Sequence, residues 1–212
     1  MRIALINENS QASKNEMIFQ ILEKVAKKFG PEVVNYGMFG AEDNHTLTYV
    51  KNGLLSAILL NSKTVDFVVT GCGTGEGAML ALNSFPNVLC GLLVDPSDAY
   101  MFRQINDGNA ISMPFAKGFG WGAELLLEQV FTELLKCEGG NGYPKERAIP
   151  EKENKIILDN VKNVTHQSIY YILENIDKNF LKETINYEFF KKDFFENSKD
   201  EKMNNILKEI LK

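Results

Sequence analysis

The chain contains no glycine and no proline beyond Pro150, although it has 16 glycines and 6 prolines in 212 residues. Residues 151–212 therefore lack both strong backbone breakers. Histidine is limited to His45 and His166, and cysteine to Cys72, Cys90 and Cys137. Three scattered cysteines form neither a CxxC pair nor a disulfide framework, which points to a reducing, cytoplasmic setting. They also form no Cys/His cluster of the kind that holds zinc, so neither metal nor cofactor is expected. There is no excess of positive charge: 23 Lys and Arg face 28 Asp and Glu, for a formal net charge of −5. A nucleic-acid binder that neutralises phosphates would show the opposite balance. No apolar run reaches the roughly 18–20 residues of a membrane span. The apolar start Met1–Ile6 meets Asn7-Glu8-Asn9 too soon for a signal peptide. A globular protein remains, with 44% hydrophobic and 24% charged residues, ordinary values for that class.

The spacing of apolar residues predicts alternating elements. Residues 2–6 and 32–35 read as short buried strands. Between them, Met17, Ile18, Ile21, Leu22, Val25 and Phe29 recur at helical spacing until Gly30-Pro31. Residues 36–44 read as a loop and 46–61 as a helix. The β-branched strand 65–70 leads into a glycine loop and a helix over 78–83. A strand over 88–94, a helix over 98–106, a strand over 110–112 and an amphipathic helix over 123–136 follow. Five alternations predict an α/β fold with one five-stranded parallel sheet between helical layers, a three-layer α/β/α sandwich. Ligands bind such sheets beyond the carboxyl ends of the strands. The loops at Asn7-Glu8-Asn9, Gly71–Gly77 and Asp95-Pro96 lie at that edge. Residues 137–150 read as a connector. Residues 151–212 hold five Phe and three Tyr, too many for a solvated tail. They are expected to form helices, with breaks near Asn163, Asn179 and Ser198, that pack on the body or on a partner subunit. The expected division is 1–150 and 151–212.

The sharpest local signal is Gly71-Cys72-Gly73-Thr74-Gly75-Glu76-Gly77, after a strand and before a helix. Closely spaced glycines let the backbone turn and approach a ligand. Successive N–H groups at a helix N-terminus then favour an anion. Neither a P-loop nor GxGxxG fits these residues. Cys72 sits within the loop, where helix N–H groups suit a cysteine to act as base or nucleophile, unless it is merely a small buried residue. Thr74 is either a hydroxyl donor to substrate or a helix cap. Glu76 is a solvated first-turn carboxylate or a second base.

These residues resemble the ribose-5-phosphate isomerase B and galactose-6-phosphate isomerase family. The resemblance rests on Arg2-Ile3-Ala4-Leu5, on Val69–Gly77 as its CGTGxG loop, and on Asn83. Arg103-Gln104-Ile105-Asn106-Asp107-Gly108-Asn109-Ala110 is similar to its RxHNDxNV element, and Glu138-Gly139-Gly140 follows the last body helix. It implies a flavodoxin-like or Rossmann-like sandwich. It also implies a homodimer or dimer of dimers with active sites at the subunit interface, and cofactor-free aldose–ketose isomerisation of a sugar or sugar phosphate through a cis-enediolate. On this resemblance Cys72 is the base, and the N–H groups of Gly73–Gly77, including Gly75 and Glu76, form the anion hole. Thr74 assists ring opening or orientation, and Asn106 contacts substrate from the other subunit.

The departures carry information. The family's Asp-His after the first strand is Glu8-Asn9 here, both retained as substrate-binding candidates. The histidine that promotes ring opening is Ile105, and an alkyl group transfers no proton. The phosphate-gripping arginines are out of register, leaving Lys145 and Arg147 as substitutes. Either Tyr49, His45 or His166 takes the acid role, or the substrate needs no ring opening. The alternative from another class is a sugar-phosphate-binding or regulatory protein that kept the fold and lost catalysis.

Overall fold

The computed structural model describes all residues 1–212. Strands β1 (Arg2–Asn7), β2 (Glu32–Asn35), β3 (Phe67–Cys72), β4 (Cys90–Leu92) and β5 (Ala110–Pro114) form one sheet in the order β2-β1-β3-β5-β4. All four pairings are parallel. The intervening helices are α1 (Asn15–Phe29), α2 (Tyr49–Asn61), α3 (Glu76–Asn83), α4 (Pro96–Met101) and α5 (Ala123–Leu135). A 3-10 segment, Asn9–Lys14, precedes α1, and a wide π-helical turn, Phe102–Asn106, ends the run begun by α4.

Alternation along the strands sorts side chains into two cores. Ala4 and Ile6 of β1 and Val68 of β3 face the α2 side, while Ile3, Leu5, Phe67 and Val69 face α1 and α5. The chain forms β4 before β5, yet β5 lies beside β3. The apolar strand β5 is buried over Ala110–Met113, whereas β4 is half-buried and occupies the sheet edge. Asn83 covers part of that edge: its Nδ2 donates to the Cys90 carbonyl (2.8 Å) and its Oδ1 accepts from the Cys90 N–H (3.0 Å). Its role here is structural.

Helices α6 (Ala148–Thr165), α7 (Ile169–Asn175), α8 (Lys178–Ile185), α9 (Glu188–Asn197) and α10 (Glu201–Leu211) complete the chain. The connector read over 137–150 is shorter, because α6 starts at Ala148. Pro150 sits in its first turn, where a missing N–H costs little. The breaks fall at 166–168, 176–177, 186–187 and 198–200, so the sequence reading missed the one before Tyr187. Ile169, Leu173, Leu181, Ile185, Tyr187, Phe190, Phe194, Met203 and Leu207 join the core that contains α2. This explains why α2 is buried at every position from Asn52 to Leu60: the sheet covers one side and the C-terminal helices the other.

Candidate active site

Strand β3 runs two residues further than its β-branched stretch suggests. Gly71 pairs with Met113 and with Asn7, and Cys72 pairs with Pro114. Only glycine fits at position 71, where a Cβ would press on the Met113 carbonyl and lie 2.5 Å from the Phe115 ring. The strand therefore delivers Cys72, 8% exposed, to the carboxyl edge of the sheet. Gly75 then turns the chain with φ +79° and α3 opens at Glu76. The N–H groups of Gly73, Thr74 and Gly75 meet no acceptor within the chain. The Thr74 hydroxyl accepts the Glu76 N–H (3.3 Å), and both of those side chains are exposed.

Tyr49, the first residue of α2, leans over this turn. A Cβ on Gly77 would lie 3.5 Å from the Tyr49 ring and 3.7 Å from Cys72 Sγ, so ring, sulfur and glycine border one space. The Asn7-Glu8-Asn9 loop flanks it. Glu8 is buried, and its carboxylate accepts the Ser10 N–H (3.0 Å) and the Ser10 hydroxyl, capping the 3-10 segment. Asn9 is exposed, and its N–H donates to the Leu47 carbonyl (2.7 Å).

Sequence reasoning passed over Gln11 and Lys14. Gln11 Nε2 lies 3.9 Å from where a Gly73 Cβ would be. Lys14 Nζ donates to Gln11 Oε1 (2.7 Å) and to the Phe115 carbonyl, and stands 4.6 Å above the Phe119 ring. Burial lowers its affinity for a proton, and no carboxylate pairs with it. The clue is a lysine that closes the polar segment after the first strand.

Asn106, Lys145 and Arg147 lie elsewhere. Asn106 precedes β5 and so sits at the amino edge, beside Glu151, Asn154 and Leu158 of α6. Lys145 and Arg147 are exposed just before α6, and Arg147 Nε is 3.7 Å from Glu151. The two sequence pieces that flank Asn106 meet, since the Gly140 and Gly142 N–H groups donate to the Arg103 and Gln104 carbonyls. One chain therefore does not bring these three residues to Cys72. Of the acid candidates, Tyr49 is at the site. His45 Nε2 is 3.1 Å from the Thr184 carbonyl and His166 Nε2 is 3.3 Å from the Asn83 carbonyl. Burial lowers the pKa of His45, against the smaller opposing pulls of Thr184 and Asp43. Burial pushes the Cys90 thiol up, which keeps it protonated. A cleft of about 360 Å³ also lies at the amino edge, but there Lys155 pairs with Asp159 (2.6 Å) and Lys162 donates to the Val88 carbonyl.

A thiol beside unpaired N–H donors at the carboxyl edge of a parallel sheet is equipment suited to chemistry next to a carbonyl, and the proteins this chain is similar to give the class: an α/β isomerase of small sugars. The family model described as Ribose/Galactose Isomerase matches residues 3–137. The chain belongs to that family. A second model, described as Ribose-5-phosphate isomerase, matches residues 164–210. A solved 4-deoxy-L-threo-5-hexosulose-uronate ketol-isomerase, complexed with a tartrate, is 57% identical, with a TM-score of 0.98 over 100% of this chain and 99% of that one. A ribose-5-phosphate isomerase from Vibrio parahaemolyticus is 45% identical, with a TM-score of 0.97 over 100% of this chain and 99% of that one. The ribose-5-phosphate isomerase B of Escherichia coli (strain K12) is 27% identical over 99 residues, 47% of this chain. That match spans 61% of the curated relative's length. No helix of this chain is long and apolar enough to cross a membrane.

Two glycine substitutions should separate scaffold from site. Gly75→Ala forces a left-handed alanine, costing about 1–2 kcal/mol, and drives its Cβ to 2.6 Å from Leu92. Its urea midpoint should fall clearly. Gly77→Ala meets nothing closer than 3.5 Å, so its midpoint should stay within the error of wild type. Its methyl would occupy the space between Tyr49 and Cys72, and turnover should fall.

Proposed function

We propose that this protein is an aldose–ketose isomerase for an open-chain, carboxylate-bearing sugar, with 4-deoxy-L-threo-5-hexosulose-uronate as the first candidate. The observation that carries the reading is the meeting of Cys72 Sγ and Tyr49 at Gly77, beside the unpaired N–H groups of residues 73–75. The Cys72 thiolate takes the proton from the hydroxyl-bearing carbon next to the carbonyl. The electron pair moves onto the carbonyl oxygen, and the resulting enediolate is held by the N–H donors. The proton returns to the former carbonyl carbon. In this reading the Tyr49 and Thr74 hydroxyls pass the remaining proton between the two oxygens. Nothing is oxidised or reduced overall.

The substrate class follows from three supports. The ketol-isomerase that resembles this chain at 57% identity over its whole length acts on that uronate. A 4-deoxy-5-keto sugar has no hydroxyl on C4 or C5 with which its aldehyde could close a ring, so Ile105 leaves no function unfilled. Lys14 offers an ammonium without a carboxylate partner to the substrate's acidic end. In this reading residues 1–150 carry the chemistry, while 151–212 shape assembly and access.

The assembly is a homodimer in which Asn106 of a second copy approaches Cys72. Its support is the apolar face of α6 next to Asn106: Ile156, Ile157 and Val164 are 60%, 59% and 87% exposed, which marks a surface fit for burial.

Turnover of the uronate, ribose 5-phosphate and galactose 6-phosphate should be compared in deuterated solvent. The uronate should lead in kcat/KM by about 10²-fold or more, since a site built to pair one polar group discriminates by up to about 10⁴–10⁵. A lead for ribose 5-phosphate would return the substrate to a phosphate ester. A bound sugar that acquires no deuterium would favour the non-catalytic binder.

A further inference from the structure

We propose that the C-terminal helices clamp the irregular segment between β2 and α2 and so set the substrate site, with His45 as the positioning residue that carries the constraint to Tyr49. This rests on the reading of Cys72 and Tyr49 given above. The segment 36–48 has no helix or strand of its own, and it must place Tyr49 against Gly77 and the Leu47 carbonyl against Asn9. An unbraced segment of this length would sample many conformations.

The bracing comes from α8 and α9 and the Asn186-Tyr187 turn between them. At the start of the segment, the Tyr187 hydroxyl donates to the Tyr36 carbonyl (2.7 Å) and the Tyr36 hydroxyl donates to Asp193. Phe189 packs edge-on against Tyr36 and Phe39, with centroids 5.3 and 5.6 Å away. Near its end, the His45 ring stacks on Tyr187 at 4.0 Å and its Nε2–H donates to the Thr184 carbonyl (3.1 Å). A carbonyl only accepts, which fixes the tautomer. Beyond it, Lys51 in the first turn of α2 pairs with Glu183 (3.0 Å). His45 is thus held on two sides, four residues before Tyr49 and two before Leu47. The C-terminal helices supply no atom to the reaction; they fix where the substrate-facing residues stand.

The test uses the full-length protein with His45→Phe, which keeps the stack on Tyr187 but loses the bond, and His45→Gln, whose amide can still donate. Hydrogen exchange at the Asn9 and Asn52 amides, which donate to the Leu47 and Thr48 carbonyls, should quicken in His45→Phe while β3 stays protected. KM for the uronate should rise about five- to tenfold, the scale of one buried hydrogen bond, with a smaller fall in kcat. His45→Gln should recover most of both. Unchanged exchange at Asn9 and Asn52 overturns the clamp, and so does quickened exchange with KM unaltered. If the wild-type protein fails to turn over the uronate, the substrate reading has failed and the exchange result alone judges the clamp.

Discussion

Cys72→Ala is expected to lose about 10²–10⁴-fold in turnover, the usual contribution of a positioned general base, while its unfolding midpoint stays near that of wild type. The side chain lies at a strand end with its sulfur against Gly77, so truncation removes one atom from the rim of the site and leaves no large internal void. Cys72→Ser sharpens the test. Serine keeps the size and the hydrogen-bonding capacity of the side chain, but its hydroxyl does not ionise at neutral pH, so the base is lost just as completely. Both variants should still bind substrate, and neither should exchange deuterium into it. Full activity in either variant would assign the base elsewhere, with Tyr49 the next residue to examine.

Asp193→Ala is expected to be the most destabilising single exchange outside the two cores, at about 3 kcal/mol in urea denaturation. The Asp193 carboxylate receives both ends of the Arg2 guanidinium (2.6 and 3.1 Å) and the Tyr36 hydroxyl. The Arg2 and Asp193 side chains are only 15% and 14% exposed. Removing one partner of a buried pair costs about 3–5 kcal/mol, because the other charge stays behind unpaired. Here Glu32 still meets Arg2 Nε at 3.2 Å, which places the loss at the low end. Asp193→Asn retains an acceptor for Tyr36 and should lose less. A change below about 1 kcal/mol would mean that water screens the pair as it does at an open surface. The same triad gives a pH signature. Burial, reinforced by the hydrogen bond and charge of Asp193, raises the pKa of Tyr36. The unfolded tyrosine therefore releases its proton first, so this contribution is full below about pH 10 and declines above it.

Much of this architecture can be read from local pattern. Alternating β-branched runs and helical spacings imply a parallel sheet, because each unit must cover one face of it. The position of Cys72 at a strand end follows from a strand, a glycine loop and a helix in direct succession. Strand order does not follow in this way. Whether β4 or β5 lies beside β3 depends on which is apolar on both faces, and Cys90-Gly91-Leu92 differs little in composition from a central strand. The breaks among the C-terminal helices were partly hidden as well, since no glycine or proline marks them. The break before Tyr187 shows only once the Tyr187 hydroxyl is seen to reach the Tyr36 carbonyl.

The residues around Cys72 divide along the same line. The glycine loop is a contiguous motif, and contiguous residues share a site whenever the backbone turns as glycines allow. Tyr49, Gln11 and Lys14 are joined to it only through space, by contacts that no periodicity encodes. The resemblance of Asn106, Lys145 and Arg147 to a binding set is likewise a matter of sequence, yet the sheet puts them at its opposite edge from Cys72. Amino-acid order thus specified the strand–loop–helix unit and its thiol, because those depend on neighbours along the chain. Folding alone assigned the companions of that thiol and turned the glycine-free C-terminal segment into the outer cover of α2, because burial acts between residues that are distant in sequence and near in space.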